Sequence, residues 1–295
     1  MTASNTFGQA RFAENNALLN QRFARNKVLI CAHRGSWHGN IIQNTTLAYK
    51  AALMQGADIV ETDTSMSYDG EVFSMHDGVE WRLLGRNRKA QYLTADQIAH
   101  GQTLNALGEP SSHCVQRLEE VLAYLCHGEL LNVDRVWRAG DKVLPILDRF
   151  PHMAQQAIVK APLKERQILE QLNEHPVKYM FMPICYNLAE VEAALQYKDV
   201  NMVGVELIAS STADELYQDD SIAYMHSKGL FCWANALTLT DVPLYLPLYG
   251  DLDDDRSIAE APANGWGRMM DKGIDVIQTD WPALVKNYRA ERFSL

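Results

Sequence analysis

The chain has 295 residues, 47% of them hydrophobic, and a formal net charge of -10 at pH 7. This composition supplies a full core, excludes a disordered or collagen-like chain, and opposes binding to nucleic acid or to an anionic membrane by overall charge. No stretch approaches the roughly 18 consecutive apolar residues of a membrane span, and the polar start of the chain lacks the apolar centre of a secretory leader. The expectation is a cytoplasmic protein without stable membrane insertion. The cysteines Cys31, Cys114, Cys126, Cys185 and Cys232 are scattered and odd in number, and three lie in apolar runs. They read as small buried hydrophobes, not as a disulfide framework.

In chain order, residues 1–26 read as an N-terminal helical extension. Short apolar runs then alternate with segments of helical periodicity, the pattern of βα units around a parallel sheet. The strand candidates end near Ala32, Asp63, His76, Asp134, Lys160, Cys185, Leu207, Ala234 and Thr279, one more than an eight-stranded barrel uses. Only Tyr68-Asp69-Gly70 separates the second from the third, and Asp-Gly between alternating strands signals a tight hairpin. Parallel neighbours need a crossover of about a dozen residues, so this pair is antiparallel. The expected fold is therefore α/β, a TIM (β/α)8 barrel with an extra antiparallel hairpin strand after strand 2. Helices are expected to open at Asn44-Thr45-Thr46, to cover Leu118 to Leu125, and to recur near 165–173, 188–196, 221–227 and 269–272. The acidic stretch from about 246 to 267 reads as a surface insertion before the last strand. No linker divides the chain, which is read as a single domain over 1–295.

Polar residues close the apolar strands at the positions where such a barrel places its chemistry. Glu61 and Asp63 are two apart, so on a strand both side chains point the same way. Paired carboxylates repel and are costly to bury unless a cation joins them, and oxygen donors favour a hard ion over Zn2+. The alternative is a solvated edge. Asp134, ending the third barrel strand, is either a further ligand or a turn aspartate. His33 and His76 close strands that the hairpin brings back toward each other, as a general acid and base require. Arg34 is suited to a phosphate oxygen, and Gly35 to close backbone approach. Lys160 and Glu206 end strands and point either into the site or to solvent. Trp233 is core or the wall of a substrate pocket.

These residues resemble the glycerophosphodiester phosphodiesterase family, whose TIM barrel is related to that of phosphatidylinositol-specific phospholipases C. The matching pieces are His33-Arg34-Gly35, Asn44-Thr45, Gly56 through Asp63, Asp69-Gly70 leading to His76-Asp77, Leu118 through Leu122, Trp233-Ala234-Asn235, and Gly273 through Pro282. The resemblance implies one divalent cation, Mg2+ or Ca2+ with Mn2+ as a third candidate, held by Glu61, Asp63 and an acidic residue on the third strand. It also implies His33 and His76 as general acid and base, Arg34 on the phosphate, and a small phosphodiester as substrate. Attack by the neighbouring glycerol hydroxyl would give a cyclic phosphate that is then hydrolysed. The chain departs from the family where Asp134-Arg135-Val136 replaces Glu-x-Lys, so Lys160 is a candidate replacement for the missing lysine. The competing readings are a cyclising lipid phosphodiesterase of the sphingomyelinase D type and an inactive barrel that binds a phosphorylated ligand.

Overall fold

A computed structural model describes residues 6–237, 239 and 246–295; the first five residues of the expected N-terminal extension lie outside them. Eight parallel strands close a ring: β1 Leu29–Ala32, β2 Ile59–Met66, β3 Leu130–Asp134, β4 Ala157–Pro162, β5 Met180–Cys185, β6 Gly204–Leu207, β7 Phe231–Asn235 and β8 Val276–Thr279. Closure is made by β1, which pairs with β8 on one side and β2 on the other. The hairpin strand Val72–Ser74 runs antiparallel to β2 with Thr64 opposite Ser74, and Gly70 takes the turn at φ 88°. The eight barrel strands and the hairpin strand inferred from the Asp-Gly turn are thus all observed, and one further two-residue strand, Asn201–Met202, pairs with the start of β5.

The helices follow their local signals. Thr45 caps Thr46–Met54 by accepting from the Ala48 amide, and Asn187 caps Leu188–Ala194 through the Glu190 amide. Gly140–Asp148 buries Val143, Leu144 and Leu147 on one face but carries Pro145 inside it, a residue that argues against a helix, and neither it nor the C-terminal helix Pro282–Phe293 is among the expected elements. The expected 246–267 insertion is corrected: Tyr249, Leu252, Asp254 and Trp266 are buried, so the segment packs inward. Residues 77–117 hold two short helices, Glu80–Leu83 and Ala95–Ala99, and a hairpin of Thr103–Leu104 with Pro110–Ser111. They cover a small core of their own around Phe73, Met75, Leu84 and Ile98.

Strand parity explains the barrel interior. Leu29, Cys31, Ile59, Leu130, Ile158, Met180, Phe231, Trp233 and Val276 form one apolar cluster inside the ring, whereas Ala32, Val60, Leu131, Val133 and Val159 pack outward against helices. Continuing the same parity upward brings Glu61 and Asp63, Asn132 and Asp134, Lys160, Glu206, Asn235 and Gln278 onto the inner face. At the lower end Phe7, Leu19 and Phe23 join the interior cluster, with Phe7 and Phe23 rings 4.7 Å apart edge to face. The N-terminal extension is therefore a plug. No helix among the described residues is long and apolar enough to cross a membrane, and all five thiols are free.

Arg289 on the C-terminal helix fastens this lower end. It ion-pairs with Asp58 in the buried lead-in to β2 and donates to the Val28 carbonyl at 2.7 Å, while Asp58 also accepts the Ile30 amide at 2.9 Å. Removing one partner strands a buried charge, so Arg289→Ala should cost about 3–5 kcal/mol, seen as a lower urea midpoint with the barrel's circular dichroism retained.

Candidate active site

The polar inner residues meet at the C-terminal end of the strands, where barrels of this class carry their sites. Glu61, Asp63 and Asp134 each offer an oxygen within 4.8 Å of the others, with Glu61 and Asp63 buried. The pairing register sets Asp63 level with Asp134 on the neighbouring strand. Burial pushes the Glu61 carboxyl well above the usual carboxylate range, and the negative charges of Asp63 and Asp134 add to it against Lys160 and Arg34. Burial acts on Asp63 too, but there the Arg34 guanidinium, His76, the Asn44 amide and His33 prevail and hold it below the ordinary value. Three clustered carboxylate oxygens, one of them on a group destabilised in its charged form, fit a hard divalent cation.

Arg34 organises one side. Its backbone amide donates to Glu61 at 2.8 Å, its Nε lies 3.0 Å from Asp63, and its Nη1 donates to Gln43 Oε1 at 2.9 Å. Asn44 grips Asp63 twice, donating from Nδ2 to the carboxylate at 2.9 Å and accepting the Asp63 amide at 3.0 Å. Arg34, Asn44 and Arg135 all have left-handed backbones, φ 56°, 57° and 62°, uncommon for residues with a side chain and concentrated where strain serves a site. Gly35 also has positive φ, but an added Cβ would meet the Ala48 backbone at 2.7 Å. Its role is helix approach, a correction to the expectation of approach to a ligand.

Lys160 runs along the other side. Its Nζ is 2.9 Å from Asp134 and 3.1 Å from Glu206. Burial would discharge it, yet Asp134, Glu206 and Glu61 hold its ammonium charged well above the ordinary lysine range. Both Lys160 and Glu206 therefore point inward rather than to solvent. Asn235 donates to Glu206 at 2.6 Å, and the Trp233 indole donates to Asn235 at 3.1 Å and Gln278 at 3.2 Å. Trp233 is fully buried among interior residues, which corrects the pocket-wall reading: it supports the polar layer from beneath.

The histidines are each held by a second group. His33 Nδ1 lies 3.0 Å from the Asp280 carboxylate. His76 Nε2 lies 3.1 Å from Arg135 Nη1, and Arg135 also ion-pairs with Asp77. Sequence reasoning missed Arg135, Gln43, Asp280 and the side-chain role of Asn44. Arg135 follows directly on Asp134, and Asp280 sits in the last matched motif; those positions were the available signals. It also missed Asp254, whose carboxylate accepts Trp266 Nε1 and Thr279 Oγ1 at 2.7 Å and the Asp280 amide at 3.1 Å. A second cluster, His226, Cys232 and Asp275, serves as a clasp: one Asp275 oxygen takes His226 Nε2 at 2.8 Å and the Cys232 amide at 2.7 Å.

A closed barrel with clustered carboxylates, paired histidines and an arginine at its C-terminal end defines a phosphodiesterase of the TIM-barrel class. The sequence profile of the glycerophosphoryl diester phosphodiesterase family matches residues 33–213, and a domain of unknown function matches 181–289. The chain belongs to the glycerophosphoryl diester phosphodiesterase family, a family of phosphoric diester hydrolases. It is similar to the uncharacterized protein YqiK of Bacillus subtilis (strain 168), 27% identical over 88% of this chain and 98% of that one. A glycerophosphodiester phosphodiesterase of Bacillus altitudinis is 32% identical over 32% of this chain and 38% of its own length. The fold matches a glycerophosphoryl diester phosphodiesterase from Parabacteroides distasonis with TM-score 0.73 at 15% identity, covering 99% and 95% of the two chains. It also matches an Oleispira antarctica phosphodiesterase solved with sn-glycerol-3-phosphate, with TM-score 0.62 at 13% identity, covering 90% and 98%.

Burial raises the Asp254 carboxyl to about 7 against the hydrogen bonds from Thr279, Trp266 and Asp280. A carboxyl raised on folding binds its proton more tightly in the native state. Its contribution is therefore complete below the unfolded value near 4 and is lost as pH rises through about 7. At about 1.4 kcal/mol per pH unit the full span is on the order of 4 kcal/mol. Asp254→Asn should flatten that limb of the stability curve, measured by urea denaturation across the range.

Proposed function

We propose that the chain hydrolyses a small glycerophosphodiester to an alcohol and glycerol phosphate, with one divalent cation, Mg2+, Ca2+ or Mn2+, held by Glu61, Asp63 and Asp134. The observation that carries this is the meeting of those three carboxylates with two separately anchored histidines at one end of the barrel. On this reading the whole chain acts as one catalytic domain. The bound cation supplies charge stabilisation at the phosphoryl oxygens.

The remaining chemistry belongs to the side chains. His76 enters as the base, its ring oriented by Arg135, whose Nη1 lies 3.1 Å from Nε2. His33 enters as the acid, its Nδ1 held 3.0 Å from the Asp280 carboxylate. The substrate hydroxyl beside the diester gives its proton to His76 and bonds to phosphorus. The bond from phosphorus to the alcohol oxygen then breaks, and His33 protonates that oxygen. Water opens the cyclic phosphate with the two histidines exchanging roles. Arg34 and Lys160 place permanent positive charge beside the acidic centre, which supports Arg34 as a phosphate contact and Lys160 as the replacement for the family's lysine.

Turnover of glycerophosphocholine, followed by phosphorus NMR with each cation in turn, tests the assignment. His33→Ala and His76→Ala should each lower kcat by about 10²–10⁴ with the fold intact; unchanged rates in both sink the acid and base roles. EDTA should abolish activity and the added cation restore it. Lys160→Ala should cost at least as much as a lost charged hydrogen bond, about 1.5–3 kcal/mol in kcat/KM.

A further inference from the structure

A cavity of about 410 Å³ adjoins the site, of small-ligand size. Its wall is apolar, formed by Trp37, Ile41, Trp81, Leu83, Leu104 and Leu107, and it includes Gln43, the residue that holds Arg34. Trp37 and Ile41 lie on the loop that follows His33, and Trp81 and Leu83 lie on the helix that follows His76 and Asp77. The two histidine loops thus continue directly into the groove. Trp81 is 54% and Leu107 81% exposed, a cost in water that an isolated surface residue does not explain when several line one cavity. Although the chain carries a net charge of -10, among the described residues no carboxylate lines the groove and its one charged member is Arg82, stacked 5.1 Å over the Trp81 ring.

We infer that this groove receives an apolar chain belonging to the substrate itself, so that the preferred substrate is a single-chain amphiphilic phosphodiester, of the lysophospholipid type, with its phosphate at the histidines. The inference rests on the phosphodiesterase reading for the reaction, but the groove binds whether or not turnover follows. A described lining with one arginine and no acid suits the negatively charged phosphate of such an amphiphile, and the shared Gln43 places the polar end of that molecule at Arg34.

Butyl-, octyl- and dodecylphosphocholine are phosphodiesters without a neighbouring hydroxyl, so the proposed cyclisation cannot consume them. Titrated below their micelle concentrations with tryptophan fluorescence as readout, they should bind more tightly with length, by about tenfold or more from butyl to dodecyl, against roughly fourfold per methylene at full burial. Leu107→Asp and Trp81→Ala, neither in the catalytic machinery, should flatten that dependence while leaving glycerophosphocholine turnover unchanged. Affinity independent of chain length, or a length dependence that survives in both variants, overturns the inference. Length-dependent binding without turnover of either glycerophosphocholine or lysophosphatidylcholine supports the groove and overturns the hydrolase reading.

Discussion

Everything at the open end of this barrel answers one electrostatic problem: three carboxylates, Glu61, Asp63 and Asp134, are brought within 4.8 Å of one another on adjacent strands. Alone, such a cluster would protonate or splay. The protein instead surrounds it with fixed positive charge, Arg34 on one flank and Lys160 on the other, and ties each of those to a further partner. The division is uneven. Asp63 is held firmly charged by Arg34 and Asn44, whereas Glu61 remains the strained member whose charge calls for a cation.

That arrangement is expensive in backbone geometry as well as in charge. Three residues with side chains adopt left-handed conformations at the site, and each follows from what it must reach. Arg34 must turn its amide to Glu61 and its guanidinium to Asp63. Asn44 must face β2 one residue before the helix cap at Thr45. Arg135 leaves β3 abruptly to reach His76 and Asp77. Apolar packing supplies the compensation, since the strands beneath carry Ile59, Leu130 and Ile158 wholly buried inside the ring.

Much of this was legible in the sequence because barrel chemistry is periodic. Glu61 and Asp63 declare a shared face by spacing alone, and the Asp69-Gly70 turn fixed the strand count. His33, Arg34, Lys160 and Glu206 were found because polarity at the end of an apolar run is a local signal. What escaped was relational. Asp280 had only its place in a matched motif, and nothing local distinguishes Asp254 from its acidic neighbours, since the role of each comes from a partner elsewhere along the chain. Trp233 stayed open between core and pocket wall because its strand-end position fits both, and its ring fills the layer below. Residues 77–117 lack periodicity because their helices are only a turn or so long.

The walls of the apolar groove come from two sources with different freedoms. The stretches carrying Trp37 and Trp81 are continuous with His33 and His76, so shifts there move the two histidines as well. The Thr103–Ser111 hairpin brings Leu104 and Leu107 but none of the residues that hold the carboxylates or the histidines. Sequence change can therefore accumulate on that hairpin, one side of the groove drifting while the carboxylates and histidines stay where they are.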